Sequence, residues 1–113
     1  MPRGRGSGNP NKITKEKLAN AAKIPDADIQ EIFDYWVQVM GKRRVALDLA
    51  RKRNIGNAIF LYGMDACKDA IDGCKVSDFH MGRNKQNKKY NDIELILRDV
   101  EHVERFISYL QDE

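Results

Sequence analysis

The sequence predicts an all-α fold: one small domain, a bundle of four to five short helices, with a disordered basic arm at its N-terminus. Three observations predict it. Apolar residues recur at the i, i+3, i+4, i+7 spacing of a helical face, and no stretch alternates in the manner of a strand. Thr or Asp precedes most of these stretches, and Gly follows several of them, as helix caps and terminators do. With 113 residues, 42% apolar and 33% charged, the chain has material for one core but not two.

The arm spans residues 1–12 and the helical domain 13–113. Met1 to Asn11 holds three Gly, two Pro and no apolar residue after the initiator, too little to offset the entropy of ordering. Thr14 can cap a first helix rich in good formers through Ala22, and the residue before Pro25 is pushed out of the α region, which ends it. Ile29, Ile32, Phe33, Trp36, Val37 and Met40 form one face of the next helix. Asp28, three residues before Glu31, resembles a capping box, and Gly41 suits the left-handed stop. Leu47, Arg51, Ile55, Ala58, Ile59 and Tyr62 mark a third helix, capped by Asp48 and ended by Gly63. Gly56 within it costs about 1 kcal/mol relative to Ala, so it implies a close helix contact or a local irregularity.

Asp65 is then expected to cap a helix whose Cys67, Ala70, Ile71 and Cys74 repeat the pattern, with Gly73 loosening its last turn. The polar stretch from Lys75 to Tyr90 has no periodicity and reads as a long loop pinned by Phe79 and Met81; loops that long in small domains usually carry function. Asp92 caps Ile93 to Leu97, and Asp99 caps a last helix with Val100, Val103, Phe106, Ile107 and Leu110 on its apolar face.

The net charge of +3 conceals segregation. Residues 1–23 carry six cations against Glu16, residues 42–53 six against Asp48, and residues 75–89 five against Asp78, while the segments between are acidic. Two readings follow. If the basic blocks converge they form a face that draws a polyanion through counterion release; otherwise they belong to a mixed solvated surface. Cations at the start of the third helix oppose the macrodipole, which makes more sense if an external anion shares the site. No run of 18 apolar residues and no secretory pattern is present, so a soluble protein of the bacterial cytoplasm, with no membrane partner and two reduced thiols, is expected.

Enzymatic chemistry finds little support. Ser77, Asp78 and His80 are neighbours on one loop, whereas triads are assembled from distant segments. Cys67, Cys74, His80 and His102 number enough for zinc, but C-x6-C lies outside the usual spacing, and the helical face accounts for both thiols. Asp92 with Glu94 and Asp99 with Glu101 could suggest a metal-dependent nuclease; a cap followed by a first-turn acid explains each pair. No phosphate-loop, dinucleotide or calcium-loop motif occurs. The chain is therefore expected to be no enzyme, with no catalytic residue, metal, cofactor or small-molecule substrate.

Binding remains. The candidate phosphate contacts are Arg3, Arg5, Lys42, Arg43, Arg44, Arg51, Arg53, Arg83, Lys85, Lys88 and Lys89, with Phe79, His80, Asn84 and Tyr90 as a candidate contact loop. Phe79 and Tyr90 flank the basic loop, where either core packing or ligand contact would suit them. Trp36 and Phe33 belong to the core.

Several ordered motifs carry a resemblance: Ile32-Phe33-Asp34-Tyr35-Trp36 with Val39-Met40, Ala70-Ile71-Asp72-Gly73-Cys74, Ser77 through Asn84, Tyr90 through Asp99, and Val103-Glu104-Arg105-Phe106. Across some 75 residues the chain resembles a helical domain at the C-terminus of phage replication initiators of the replication protein O type and of related prophage helix-turn-helix proteins. The resemblance implies phage DNA replication, through single- or double-stranded DNA or through a helicase-loading partner. In that family the domain follows a winged-helix module, for which the roughly 25 residues before the matching region leave no room. The implied function is a DNA-binding accessory protein; the alternative is an interaction module for a helicase, a helicase loader or a host defence factor.

Overall fold

A computed structural model describes residues 14–111. Helix α1 (Lys15–Ala22) starts where its sequence signals, with the Thr14 hydroxyl accepting from the Lys17 N–H at 3.2 Å. Helix α2 (Asp26–Met40) follows Pro25 directly. Asp28 is therefore not its cap. The proline, at φ −60°, already has the helical φ and starts the helix upstream, leaving Asp26 and Asp28 as first-turn acids that complement the dipole. Gly41, at φ +65°, ends the helix in the left-handed conformation.

Asp48 accepts from the Arg51 N–H at 2.9 Å and caps α3 (Leu49–Tyr62). Gly63, at φ +93°, is both the end of α3 and the residue before α4 (Met64–Val76), so Asp65 has no non-helical position to occupy and lies in the first turn instead of capping it. A four-residue helix, α5 (Ile93–Ile96), is capped by Asp92, which accepts from the Glu94 N–H at 3.0 Å. After a bend, Asp99 accepts from the His102 N–H at 2.9 Å at the start of α6 (Val100–Gln111). The described residues hold six helices, one more than the four to five expected, with the bend at 97–99 parting α5 from α6 where the sequence sets separate caps at Asp92 and Asp99. Their only β pairing is an isolated antiparallel bridge, Met81 to Lys89. No described helix is long and apolar enough to cross a membrane. The arm at 1–12 lies outside the described residues.

The core takes residues from every helix except α1, whose Ala21 packs beside it. Trp36, Phe106, Ile32, Ile55, Ile71, Ile93, Ile96 and Val103 are fully buried, together with both cysteines. On α6, Val103 and Phe106 face inward as expected, but Val100 and Leu110 are 47% and 37% exposed.

Two glycines decide how the helices meet. A Cβ on Gly56 would stand 2.9 Å from Ala21 Cβ, so the cost of that glycine within α3 is explained by the close approach of α1. A Cβ on Gly73 would meet the Phe106 carbonyl oxygen at 1.7 Å. Gly73 does not loosen α4; it lets the backbone of α6 lie directly against it. Beside the first contact, the buried Asn20 amide donates to Asn57 Oδ1 at 2.9 Å, pairing two groups that would otherwise be stranded between α1 and α3.

Candidate nucleic-acid interface

The scaffold of the site is Trp36. Its indole N–H donates to the Asn91 carbonyl at 2.8 Å, which ties the residues just before α5 to the middle of α2. Two predicted phosphate contacts are gathered on the same ring. Lys42 Nζ lies 5.4 Å from its centroid and donates to Asn91 Oδ1 at 2.9 Å. The Arg51 guanidinium, 5.2 Å from the centroid, donates to the Ala46 carbonyl at 2.9 Å and approaches Asp92 Oδ2 at 3.5 Å. With only 18% of its side chain exposed, Arg51 is engaged inward, as is Lys42 in its bond to Asn91. These contacts join the basic block at 42–53 to the segment that closes the basic loop.

That loop is built, not slack. Asn84 Nδ2 donates to the carbonyls of Phe79 and Lys88, each at 2.7 Å, while its Oδ1 accepts from the N–H groups of Gln86 at 3.0 Å and Lys88 at 3.2 Å. One side chain thus satisfies four backbone groups across the tip, and the Tyr90 N–H donates to the His80 carbonyl at 2.8 Å at the base. Asn87, at φ +53°, takes the left-handed position that asparagine tolerates.

The loop is pinned by residues other than the expected pair. Met81 packs on the core as predicted, but Phe79 is 53% exposed and His80 takes its place. The His80 ring stands edge-on to Phe106 at 4.8 Å and 71°, and its Nδ1 is 2.7 Å from Ser77 Oγ. Burial, followed by the charges of Arg105 and His102, holds this imidazole below its ordinary 6.5. Asp78 is bonded to Arg83 at 2.8 Å, so Ser77, Asp78 and His80 do not form a relay. His80 therefore anchors the loop, and Asn84 shapes it.

Phe79 is exposed, and Tyr90 lies half-buried beside it. Their rings stack at 5.5 Å and 8°, and Lys88 Nζ lies 5.5 Å from the Tyr90 centroid. Arg43, Arg44, Lys85, Lys88 and Lys89 are exposed, and none of the ion pairs among the described residues involves them. Arg53 is half-buried beside a groove with Leu18 and Leu49, where the neighbouring Lys52 approaches Asp26 at 3.4 Å. Arg83 is exposed but paired, an arrangement that contributes little in water. Arg3 and Arg5 lie outside the described residues.

Cys67 and Cys74 are core residues, and burial pushes both thiols up to about 12. Among the described residues, no three His, Cys, Asp or Glu side chains gather as metal ligands. Trp36 and Asn91 support the candidate site, a role that the charge and motif reading did not assign to either. Trp36 was legible only as core, and nothing local to Asn91 marks its long-range bonds. Comparison of the chain with protein-family models, curated proteins and solved structures found no match.

Proposed function

We propose that the chain is a non-enzymatic phage or prophage accessory protein that binds DNA in support of phage replication. The observation that carries the reading is the junction at Asn91: it connects two basic blocks, whose outward cations Arg43, Arg44, Lys85, Lys88 and Lys89 lie on segments sharing one support beside the Phe79–Tyr90 stack. Charge in this arrangement supplies affinity with little sequence preference. The phage setting rests on the motif resemblance alone.

Titration of labelled DNA at low salt tests the reading. Binding should weaken steeply with salt, and Arg43→Gln/Arg44→Gln should weaken it alike on every sequence, lowering the duplex salt slope by roughly 2. Absence of binding at micromolar protein would refute it.

A second reading, an interaction module for a helicase, a loader or a host factor, draws on the outer face of α6, where Val100 and Leu110 are exposed among Glu101 and Glu104. It predicts a specific bacterial partner that is retained after nuclease treatment. Retention that nuclease abolishes favours DNA.

A further inference from the structure

We infer that the loop between α4 and α5 is a stacking platform for unpaired nucleobases, so that the chain prefers single strands to duplex. The inference rests on the DNA-binding reading above and names the form of nucleic acid that the site takes.

Three features of the loop lead to it. Phe79 leaves 53% of its surface to solvent, while the adjacent half-buried His80 packs edge-on against the buried Phe106. The Phe79 ring is nearly parallel to Tyr90, at 8°, so a base laid on Phe79 extends an existing stack. The ring is also held in place before any ligand arrives. Tyr90 supports one face, the His80 ring packs at 5.3 Å and 75°, and Asn84 bonds the Phe79 carbonyl. An ordered platform loses little entropy on binding.

The chemistry of the surroundings selects the occupant. A duplex buries its base faces in its own stack and offers phosphates and groove edges, for which a flat exposed phenyl has no use. A single strand offers both a π-face and a phosphate. Lys88, beside Tyr90, and the unpaired Lys85 and Lys89 are spaced along the loop to take the phosphates flanking a stacked base. An apolar protein partner would match Phe79 but not the surrounding lysines.

The test is fluorescence anisotropy of the full chain at low salt with three labelled probes: a 20-nucleotide oligo-dT, the matching oligo-rU, and a 20-base-pair duplex. Native protein should bind oligo-dT more tightly than duplex. Phe79→Ala should weaken oligo-dT binding between about fivefold and about 150-fold, the range for loss of one stacked base, and change duplex binding less than twofold. Phe79→Leu keeps apolar bulk without the π-face and should show the same selective loss, whereas Phe79→Trp should retain the preference. Equal affinity of oligo-rU and oligo-dT assigns the platform to unpaired bases of either nucleic acid, and binding to oligo-dT alone assigns it to DNA.

Equal native affinity for oligo-dT and duplex, or an equal loss on both in Phe79→Leu, overturns the platform and leaves the DNA-binding reading standing. Binding to no probe overturns both.

Discussion

Replacing Gly73 by alanine tests the packing that places the loop. A Cβ there would meet the Phe106 carbonyl oxygen at 1.7 Å, its carbon at 2.4 Å and its Cα at 3.2 Å. All three atoms are backbone, so no side-chain rotation relieves the clash; bringing the first contact out to 3.0 Å requires α4 and α6 to part by about 1.3 Å. Phe106 and Val103 are both buried along that contact, and His80 stands on the Phe106 ring, so separation also loosens the loop anchor. Overpacking costs about 1–3 kcal/mol and more where backbone must move, while alanine regains about 1 kcal/mol of helix propensity. The net loss should be about 2–3 kcal/mol, a fall in Tm on the order of 10–20 °C for a domain of this size.

Urea unfolding followed by the fluorescence of the buried Trp36 measures it. Gly56→Ala is the internal comparison. There the nearest atoms are Ala21 Cβ at 2.9 Å and Ala21 Cα at 3.0 Å, which no rotation moves, and the movable end of Ile29 at 3.1 Å; α1 must shift only by a few tenths of an ångström, so the net loss should be about 0–2 kcal/mol. If Gly73→Ala is as stable as the native chain, or loses no more than Gly56→Ala, the close α4–α6 contact is not what holds this part of the fold.

Three further outcomes are expected. With both thiols raised to about 12 by burial, a thiol-specific chromogenic reagent should label Cys67 and Cys74 only as fast as the protein opens, and rapid native labelling would contradict their placement. Because burial, then Arg105 and His102, depresses the folded-state titration of His80, the unfolded chain takes up that proton first as pH falls. Stability from this group is therefore full above its ordinary 6.5 and declines as pH drops toward the folded value; His80→Phe should flatten that decline in the urea midpoint between pH 7.5 and 5.5, and an unchanged profile would refute the assignment. Arg51→Ala should lose about 1–2 kcal/mol through its contacts with Trp36 and the Ala46 carbonyl, whereas Arg43→Ala should stay within about 0.5 kcal/mol; similar losses would contradict the division between inward and outward cations.

The fold was legible wherever a local rule sufficed. Thr14, Asp48, Asp92 and Asp99 cap as read, Gly41 and Gly63 terminate, and the apolar faces of α2, α3 and α4 supply the core. The misreadings arise where a neighbour has a role that the local cap and terminator rules do not assign to it. Asp28 yields to Pro25, and Asp65 to a glycine shared by two helices; Gly73 answers to the carbonyl of Phe106, 33 residues away. Val100 and Leu110 fit the α6 period but sit at the ends of its buried stripe, where no other element covers them fully. In the loop, composition marked residues 75–89 as polar and irregular, yet it could not show that Asn84 satisfies four backbone groups or that His80 rather than Phe79 turns inward.

The division of the basic block at 42–53 shows why charge counting overstates a binding face. Lys42 and Arg51 are as cationic in sequence as Arg43 and Arg44, but each has a long apolar stem and a donor end that match Trp36 and the acceptors around it, so they brace the junction from within. Such bracing gives the outward cations a fixed base. Arg43 and Arg44 follow the left-handed Gly41, and Arg44 is itself at φ +57°, so the turn presenting them to solvent is set by backbone geometry next to a half-buried tether at Lys42. On the far side of Asn91, the same tether holds the base of the loop that carries Phe79 and Lys88. Loss of the Lys42–Asn91 bond would therefore act on both halves of the candidate interface together, although neither residue faces outward.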